Sequence, residues 1–257
     1  MTTDPRAQEI TTGLSDFDDS AGPIPRGHVT VVAGRSSAGT TAFVMSVARH
    51  NDEVGRQVSM ASFESGTDTL MNNLVAATTS VNMDRPLSIG AGRRARIDRA
   101  RPRMEQSRLT LWSSQLNAGR WPFQHLIEQL DALPDLDLLI VDGYGLASYG
   151  EPAEGATFAV LKDLARVRGA AVLVTCHLTP EAGTPEAVLP TLSELMPLDA
   201  PVAEAETAVI LHRPDRGSDP QRRGEVDLIA VCGWQGAGSA TVRFEPEYHR
   251  FVDLPNT

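Results

Sequence analysis

A glycine-rich segment near the start of the chain has the residue types of a phosphate-binding loop. It comprises Gly34, Arg35, Ser36, Ser37, Ala38, Gly39, Thr40 and Thr41, and it lies between a predicted strand and a predicted helix. The spacing is that of the P-loop, G-x-x-x-x-G-K-[ST], except that Thr40 stands at the lysine position. Glycines let backbone N–H groups surround phosphate oxygens, and Thr41 offers a hydroxyl for Mg²⁺. The alternative is a Gly/Ser-rich turn that only connects strand to helix.

Two carboxylates follow predicted strands and suit the chemistry of nucleotide hydrolysis. Asp142 ends the apolar run 138–142, which is the Walker B pattern whose acid helps to hold Mg²⁺. Glu64 follows the predicted strand 57–63, where a carboxylate could polarise an attacking water. The alternatives are an Asp142 that caps the next turn and a Glu64 that is an exposed strand-end charge.

A histidine completes the ordered set. His177 follows the predicted strand 171–176, where a polar side chain could sense the γ-phosphate; the alternative is a structural histidine. The P-loop (residues 34–41), Glu64, Asp142 and His177 would all lie at the carboxyl edge of one parallel sheet, where α/β folds bind ligands. Together they predict a site for ATP or another nucleotide with Mg²⁺.

Short apolar runs alternate with helical stretches, which predicts an α/β fold with a mostly parallel sheet flanked by helices. Strands are predicted at 28–33, 57–63, 109–112, 138–142, 171–176, 207–212, 226–231 and 240–244. Helices are predicted at 41–51, 67–79, 92–106, 122–132 and 156–168. The last three strands are expected to form an antiparallel extension, and Pro102 should kink or end the third helix. Residues 179–206 are predicted to form a long loop with at most one short helix.

Composition sets the broad class. With 41% hydrophobic and 22% charged residues, the chain is expected to form one globular domain over 1–257, with a flexible tail at 1–11. No signal peptide and no apolar run near ~18 residues is visible, so a cytoplasmic protein without a membrane span is expected. Cys176 and Cys232 do not make a disulfide framework or metal site. The net charge of −10 weakens non-specific binding to nucleic acid, and Lys162 is the single lysine.

The chain resembles the C-terminal motor domain of the DnaB-type replicative helicases, within the wider RecA/KaiC group. The resemblance rests on Asp142 and on segments 12–18 (Thr-Gly-Leu-Ser-Asp-Phe-Asp), 34–43, 62–65, 161–165 and 244–251, and so spans nearly the whole chain. It implies a RecA-like P-loop NTPase fold with antiparallel C-terminal strands. It also implies that Thr41 and Asp142 bind Mg²⁺ and that Glu64 is the catalytic base. His177 replaces the family's usual glutamine.

Three departures from the family bear on activity. Thr40 replaces the P-loop lysine, and Lys162 matches a helix lysine of the family itself. The family supplies cations to the neighbouring subunit's nucleotide from a Lys-x-Arg-Asn-Gly segment, whereas residues 231–236 contain no positive charge. The loop 179–206 resembles the region that approaches DNA, yet it holds six acids and no Lys or Arg. A DNA backbone would be repelled by such a loop.

A second charge feature points the other way. Eight arginines lie between residues 85 and 108, and on a continuous helix Arg96, Arg99 and Arg103 share a face. Pro102 leaves the membership of Arg103 open. The cluster could bind nucleic acid, an acidic partner or the acidic loop of a neighbouring subunit. The alternative is a solvated arginine-rich helix.

These features favour a helicase-like protein with impaired or absent ATPase activity, which acts in DNA replication or its regulation through weak nucleotide binding and contacts with a protein partner or its own copies. Loss of one charged contact worth roughly 1.5–3 kcal/mol weakens triphosphate binding by roughly one to two decades. The alternative is an active ATP-dependent DNA helicase or DNA-stimulated ATPase, in which Arg35 supplies the missing charge. A KaiC-like regulatory ring is a third hypothesis.

Overall fold

The fold is one twisted sheet with helices on both faces. The computed structural model describes residues 9–83, 90–113, 123–149, 155–181, 184, 188–195, 199, 202–203, 205–216, 219–231 and 238–255. Within these residues the strands are β1 (Val29–Arg35), β2 (Val58–Ser62), β3 (Leu109–Ser113), β4 (Leu138–Asp142), β5 (Ala171–Leu178), β6 (Thr207–His212), β7 (Glu225–Val231), β8 (Ser239–Glu245) and β9 (Arg250–Asp253). The α-helices are α1 (Ser15–Ala21), α2 (Thr40–Glu53), α3 (Thr67–Thr79), α4 (Ala91–Glu105), α5 (Phe123–Leu130), α6 (Tyr144–Ala147) and α7 (Ala156–Arg168).

The strand order places the P-loop strand in the middle of the sheet. From edge to edge it is β3-β2-β4-β5-β1-β6-β7-β8-β9. The first six of these strands pair in parallel, and β7, β8 and β9 continue the sheet in antiparallel fashion. The carboxyl ends of β1, β2, β4 and β5 therefore meet at one edge of the sheet, where a ligand can reach all four.

Alternating side chains of the central strands build two separate cores. Leu138 and Ile140 of β4 pack on one face with Phe43 of α2, while Leu139 and Val141 pack on the other with helices α5 to α7. All five residues of β4 are buried, as expected for a parallel strand covered on both faces. By contrast, β7 alternates between buried and partly exposed positions, as a strand near an uncovered part of the sheet does.

The mostly parallel α/β fold with antiparallel C-terminal strands is confirmed, with differences in detail. The first of the last three predicted strands, β6, pairs in parallel with β1, so antiparallel pairing begins only at β7. Helix α4 continues through Pro102 to Glu105, close to the predicted span 92–106, so Pro102 does not end it. Short helices α1 and α6 and the closing strand β9 were not predicted from periodicity, since each is too brief to show one.

The N-terminal segment is packed from its first described residues. Ile10 is fully buried and bridges to Ile24, and the Thr11 hydroxyl bonds the His50 ring at 2.9 Å. Thr12 is anchored by Asp18, whose carboxylate accepts its N–H and its hydroxyl. The expected flexible tail therefore does not include residues 9–11, and residues 1–8 lie outside the described part.

No helix in the described part of the chain is both long enough and apolar enough to cross a membrane.

The central sheet makes a stability prediction. Val172 of β5 is fully buried, so Val172→Ala should lower the free energy of unfolding by about 2 kcal/mol, from two lost carbons and the cavity they leave. Val167→Ala, the same change at a helix position with 73% exposure, should alter it by less than ~0.5 kcal/mol. Urea unfolding followed by circular dichroism measures both. Equal effects would contradict the burial pattern.

Candidate nucleotide site

The P-loop forms a tight turn between β1 and α2. Ser37 and Gly39 adopt positive φ angles of 62° and 97°, a region that glycine populates without steric strain. A side chain on Gly34 would bring its Cβ within 2.8 Å of the Ala38 Cβ. On its outer side, Gly39 packs against the rings of Phe244 and Phe251, which stack with their centroids 4.8 Å apart. The first N–H groups of α2 have no partner within the helix and so form an anion site in principle.

Thr40 faces into this turn. Its side chain is buried, and its γ-methyl lies beside Gly34, 3.1 Å from where a Cβ would be. A threonine at this position carries no charge and is too short to reach along a bound phosphate chain. The single lysine does not replace it: Lys162 of α7 lies over the Phe158 ring and lines a cavity with His28 and Val29, at the opposite end of β1.

Asp142 is the centre of the polar site. It is fully buried and accepts hydrogen bonds from three hydroxyls: Thr41 at 2.9 Å, Thr175 at 2.9 Å and Ser62 at 2.8 Å. Burial raises the pKa of Asp142, and the nearby Glu64 raises it further, whereas the three hydroxyl bonds lower it. The structure thus brings Thr41 and Asp142 into direct contact.

Sequence reasoning missed two of these hydroxyls. Ser62 ends β2 beside Asp142 in register, and Thr175 lies in β5 on its other side. Each also accepts a backbone N–H: Ser62 from Ser65 at 2.8 Å and Thr175 from Gly143 at 2.8 Å. The signal in the sequence was a serine or threonine near the end of an apolar strand. Such a residue can be assigned to the site only once the strand order is known.

The residues present fit a magnesium ion in part. Mg²⁺ takes oxygen ligands, retains several waters and usually relies on substrate phosphates instead of a cage made only by protein. The Thr41 hydroxyl and the Asp142 carboxylate provide oxygens 2.9 Å apart, so one could ligate the ion directly and the other through water. Within the described residues no group of three or more His, Cys, Asp or Glu side chains could hold a metal alone.

Glu64 and His177 form a pair at the rim of the site. The His177 Nε2 lies 2.9 Å from the Glu64 carboxylate, and the side chains are 51% and 28% exposed. This bond is the main reason that the pKa of His177 is raised, against partial burial, which lowers it. Gly143 permits the arrangement, because at its φ of 86° an added Cβ would lie 2.8 Å from the Glu64 Cγ. The sequence predicts a strand at 171–176 with His177 just after it, whereas β5 extends to Leu178 and includes His177.

A third acid of the site comes from the loop 179–206. Asp199 is buried, and backbone N–H groups of His177 and Gly145 bond its carboxylate. Burial raises its pKa, as it does for Asp142. The sequence alone groups Asp199 with the acids expected to repel DNA, but the structure turns it towards His177.

Two guanidinium groups lie at the P-loop, and each is held by a carboxylate. Arg35 donates two hydrogen bonds of 2.8 Å to Glu194 and a third, of 2.9 Å, to the Val188 carbonyl. Arg213 donates to the Ser37 carbonyl at 3.3 Å and is paired with Asp215 at 2.8 Å. Bidentate arginine–carboxylate pairs are the stronger kind of ion pair, so neither cation is available to phosphate without breaking one.

The loop 179–206 is thus partly fixed by its own acids. Glu194 holds Arg35, Asp199 lies under His177, and Glu206 pairs with His28 at 2.7 Å. The loop also returns to the sheet through a bridge between Leu178 and Leu195. Glu186 and Glu204 lie outside the described residues, as do residues 232–236 of the segment 231–236.

The chain belongs to the family of the DnaB-like helicase C terminal domain, which matches residues 9–253. It is 21% identical over 261 residues to the replicative DNA helicase DnaC of Bacillus subtilis (strain 168) and 21% identical over 265 residues to the replicative DNA helicase DnaB of Geobacillus stearothermophilus. Each match covers 95% of this chain and 56% of the relative. The chain therefore spans about half the length of the curated relatives it matches.

Solved structures show the same fold. One solved ATPase domain superposes with a TM-score of 0.81 at 18% identity, covering 99% of this chain and 94% of that one. A DnaB-like replicative helicase, described with its interactions with primase, has a TM-score of 0.82 at 19% identity, with coverage of 99% of this chain and 65% of that one. The RadB recombinase is more distant, with a TM-score of 0.59. The RecA-like architecture implied by the resemblance is confirmed.

The Glu64–His177 pair makes a pH prediction. A histidine whose pKa is raised by folding stabilises the fold below its ordinary value of 6.5, and that contribution is lost as the pH rises through the raised value. Glu64→Gln should therefore cost more stability at about pH 6 than at about pH 9. It should also move the pKa of His177, followed by NMR of the imidazole, back towards 6.5.

The matched control is Glu206→Gln, which removes the carboxylate from the other His–Glu pair, at His28. It should leave the titration of His177 unchanged. A pKa of His177 that does not respond to Glu64→Gln would show that the hydrogen bond is not what raises it.

Proposed function

We propose that this DnaB-like domain binds nucleotide weakly, hydrolyses it slowly or not at all, and acts through contacts with a protein partner or further copies of itself, in DNA replication or its regulation in the cytoplasm. The observation that carries the proposal is that no lysine stands in the P-loop and that both arginines beside it are paired with carboxylates. Thr40 offers no charge, and Arg35 and Arg213 are both committed to carboxylates. In the part of the chain that the structure describes, a triphosphate at the P-loop would therefore meet chiefly the backbone N–H groups of α2.

The rim of the site supports slow hydrolysis. A catalytic base must accept a proton from water, and the Glu64 carboxylate already shares a hydrogen bond with His177. The family relationship supports a role in replication, since the similar proteins named above include replicative helicases and one structure that describes interactions with primase.

An active ATP-dependent DNA helicase or DNA-stimulated ATPase is the second candidate. It is favoured by the contact of Thr41 with Asp142 and by Glu64 at the adjacent strand end, which together retain the Mg²⁺ and base positions of a P-loop enzyme. In such an enzyme Mg²⁺ would offset phosphate charge, held by Thr41 and Asp142, while Glu64 would orient the attacking water. Arg35 could contribute only after leaving Glu194. A KaiC-like regulatory ring stays a third hypothesis, which no observation among the described residues favours.

Restoring the lysine tests the charge argument. Thr40→Lys should tighten ATP binding by about 10- to 100-fold, because one charged contact worth roughly 1.5–3 kcal/mol is added to an intact loop. It should restore little turnover. Thr40→Met, of similar length but uncharged, is the matched control and should not tighten binding. Calorimetry or a fluorescent ATP analogue gives the affinity, and phosphate release with and without single-stranded DNA gives turnover.

The unmodified protein supplies the opposing outcome. Robust ATP hydrolysis that single-stranded DNA stimulates would overturn the proposal and establish the second candidate.

Releasing Arg35 tests whether the loop acid competes with phosphate. Glu194→Gln should tighten nucleotide binding by about three- to tenfold, because the guanidinium loses its charged partner and can turn to phosphate. Arg35→Gln added to Glu194→Gln should cancel the gain, and Glu181→Gln, an exposed acid of the same loop, should have no effect. An affinity unchanged by Glu194→Gln would show that Arg35 does not reach the nucleotide.

A further inference from the structure

A cavity of about 430 Å³ lies at the amino edge of the parallel strands, at the opposite end of β1 from the P-loop. Its walls come from the start of β1, from helix α7 and from residues 205–206 at the end of the loop 179–206. Strand β1 has seven residues, so it separates this cavity from the P-loop by about 20 Å. The volume is that of pockets that enclose small organic ligands. A ligand here would not overlap the candidate nucleotide site.

Part of the cavity wall is apolar and is fixed by the packing of the core. Val29 of β1, Phe158 of α7 and Ala205 line the cavity, and each is at most 8% exposed. All three belong to the same core cluster, between the sheet and α7. Phe158 is held further by an edge contact with the ring of Tyr144, with the centroids 6.1 Å apart. This wall therefore exists before any ligand binds and suits the apolar part of one.

The rest of the lining is charged, and its acids are bonded to other groups. Glu206 pairs with His28 at 2.7 Å, and Asp163 pairs with Arg166 at 3.0 Å. Lys162, the single lysine of the chain, also lines the cavity. Among the described residues no salt bridge engages Lys162, so its charge is the one in this lining that no carboxylate offsets.

The Phe158 ring holds the ammonium group of Lys162 beside the cavity. The Lys162 Nζ lies 5.8 Å from the centroid of that ring, which is the distance of a cation–π contact. An ammonium is a compact charge with three donors, so it can bond an anion without first leaving a carboxylate. Ligand pockets commonly combine an apolar wall with a few polar groups that fix the orientation of the ligand. The pairing of an ammonium with an apolar wall fits an anion that carries an apolar group.

The charge balance of the cavity favours a ligand with a single negative charge. A phosphate monoester carries nearly two negative charges at neutral pH, whereas the lining has one ammonium without a carboxylate partner. The carboxylates of Glu206 and Asp163 also line the cavity and would repel a second negative charge. A carboxylate carries one charge, and its oxygens accept hydrogen bonds from an ammonium. A monocarboxylate is therefore favoured over a phosphate.

We propose that this cavity binds a small organic acid, a monocarboxylate whose charged end pairs with Lys162 and whose apolar part lies against Val29, Phe158 and Ala205. None of these residues lies at the P-loop, so the assignment goes beyond the proposed function and does not depend on nucleotide binding or hydrolysis.

The single lysine allows a direct test. Protein made with ¹³C-labelled lysine gives one lysine ε-methylene signal in NMR, that of Lys162. Titration with 3-phenylpropionate should shift this signal until it saturates. The neutral amide of the same shape, 3-phenylpropionamide, should leave it in place, and the dianion phenyl phosphate should bind more weakly than the acid. ATP with Mg²⁺ should not change the titration, because the two sites are about 20 Å apart.

Variants are compared by NMR that detects the ligand. Lys162→Gln should weaken binding about three- to tenfold, because it removes one charged contact that is partly screened by solvent. Lys162→Arg keeps the charge and should bind within about threefold of the wild type. Lys162 is exposed, so neither change threatens the fold. Ala205→Leu keeps every charge but extends the apolar wall, and should weaken binding at least about threefold.

The matched control for the loss of one positive charge is Arg223→Gln. Arg223 is exposed and precedes β7, whose first residues lie beside the carboxyl end of β6, at the other edge of the sheet. This variant should bind 3-phenylpropionate as the wild type does.

An ε-methylene signal that does not move with 3-phenylpropionate would overturn the proposal, as would equal binding of the acid and its amide. Equal losses of affinity in Lys162→Gln and Arg223→Gln would also contradict it, because they would show a general effect of charge. Tighter binding of a capped glutamyl-phenylalanine dipeptide than of the free acid would assign the cavity to an acidic side chain of a protein partner instead.

Discussion

The buried carboxylate of Asp142 is the point on which the geometry of the site depends. A carboxylate removed from water is costly unless hydrogen bonds replace hydration, and three hydroxyls from α2, β2 and β5 do so. Each strand hydroxyl also accepts backbone N–H groups, so the same network fixes the turn after β2 that carries Glu64 and the turn after β4 that carries Gly143. Gly143 in turn leaves room for the Glu64 side chain. One acid thus positions both the oxygens proposed for the metal and the carboxylate at the rim.

Near the P-loop, where phosphate would bind, it is the positive charges that are paired within the protein. In a P-loop enzyme the cation is free to meet phosphate, whereas here each nearby guanidinium is held by an acid that its own chain provides. Arg35 and Glu194 are both largely shielded from solvent, with side-chain exposures of 14% and 13%, so their attraction is screened less than that of a surface pair. The pair also joins the P-loop to the 3-10 turn Leu192–Glu194. A change in the phosphate loop and a change in the loop 179–206 are therefore physically linked.

The fold could be predicted from the sequence more completely than the side-chain contacts could. The strand β4 could be placed because burial on both faces leaves a continuous apolar run, and the helix α7 because burial of one stripe leaves a periodic pattern. The convergence of Thr41 with Asp142 could be predicted from the P-loop and Walker B patterns, which place both residues at the carboxyl edge of the parallel sheet. The partners of Arg35 could not be predicted, because Glu194 is 159 positions away and approaches through an irregular loop with no period. Thr175 was missed for a related reason: a threonine inside a strand is ordinary until β4 is known to lie beside β5.

The net charge of the chain is a poor guide to the charge of its surface, because acids that are paired or buried within the fold are counted in the total. Most acids of the loop 179–206 that the structure describes are used in this way, on Arg35, at His177 and on His28. A carboxylate that already neutralises a guanidinium group adds little to the potential that an approaching polyanion meets. The net charge of −10 therefore does not by itself exclude contact with a polyanion, and the sequence-based expectation that this loop repels DNA counts acids that the fold has already paired.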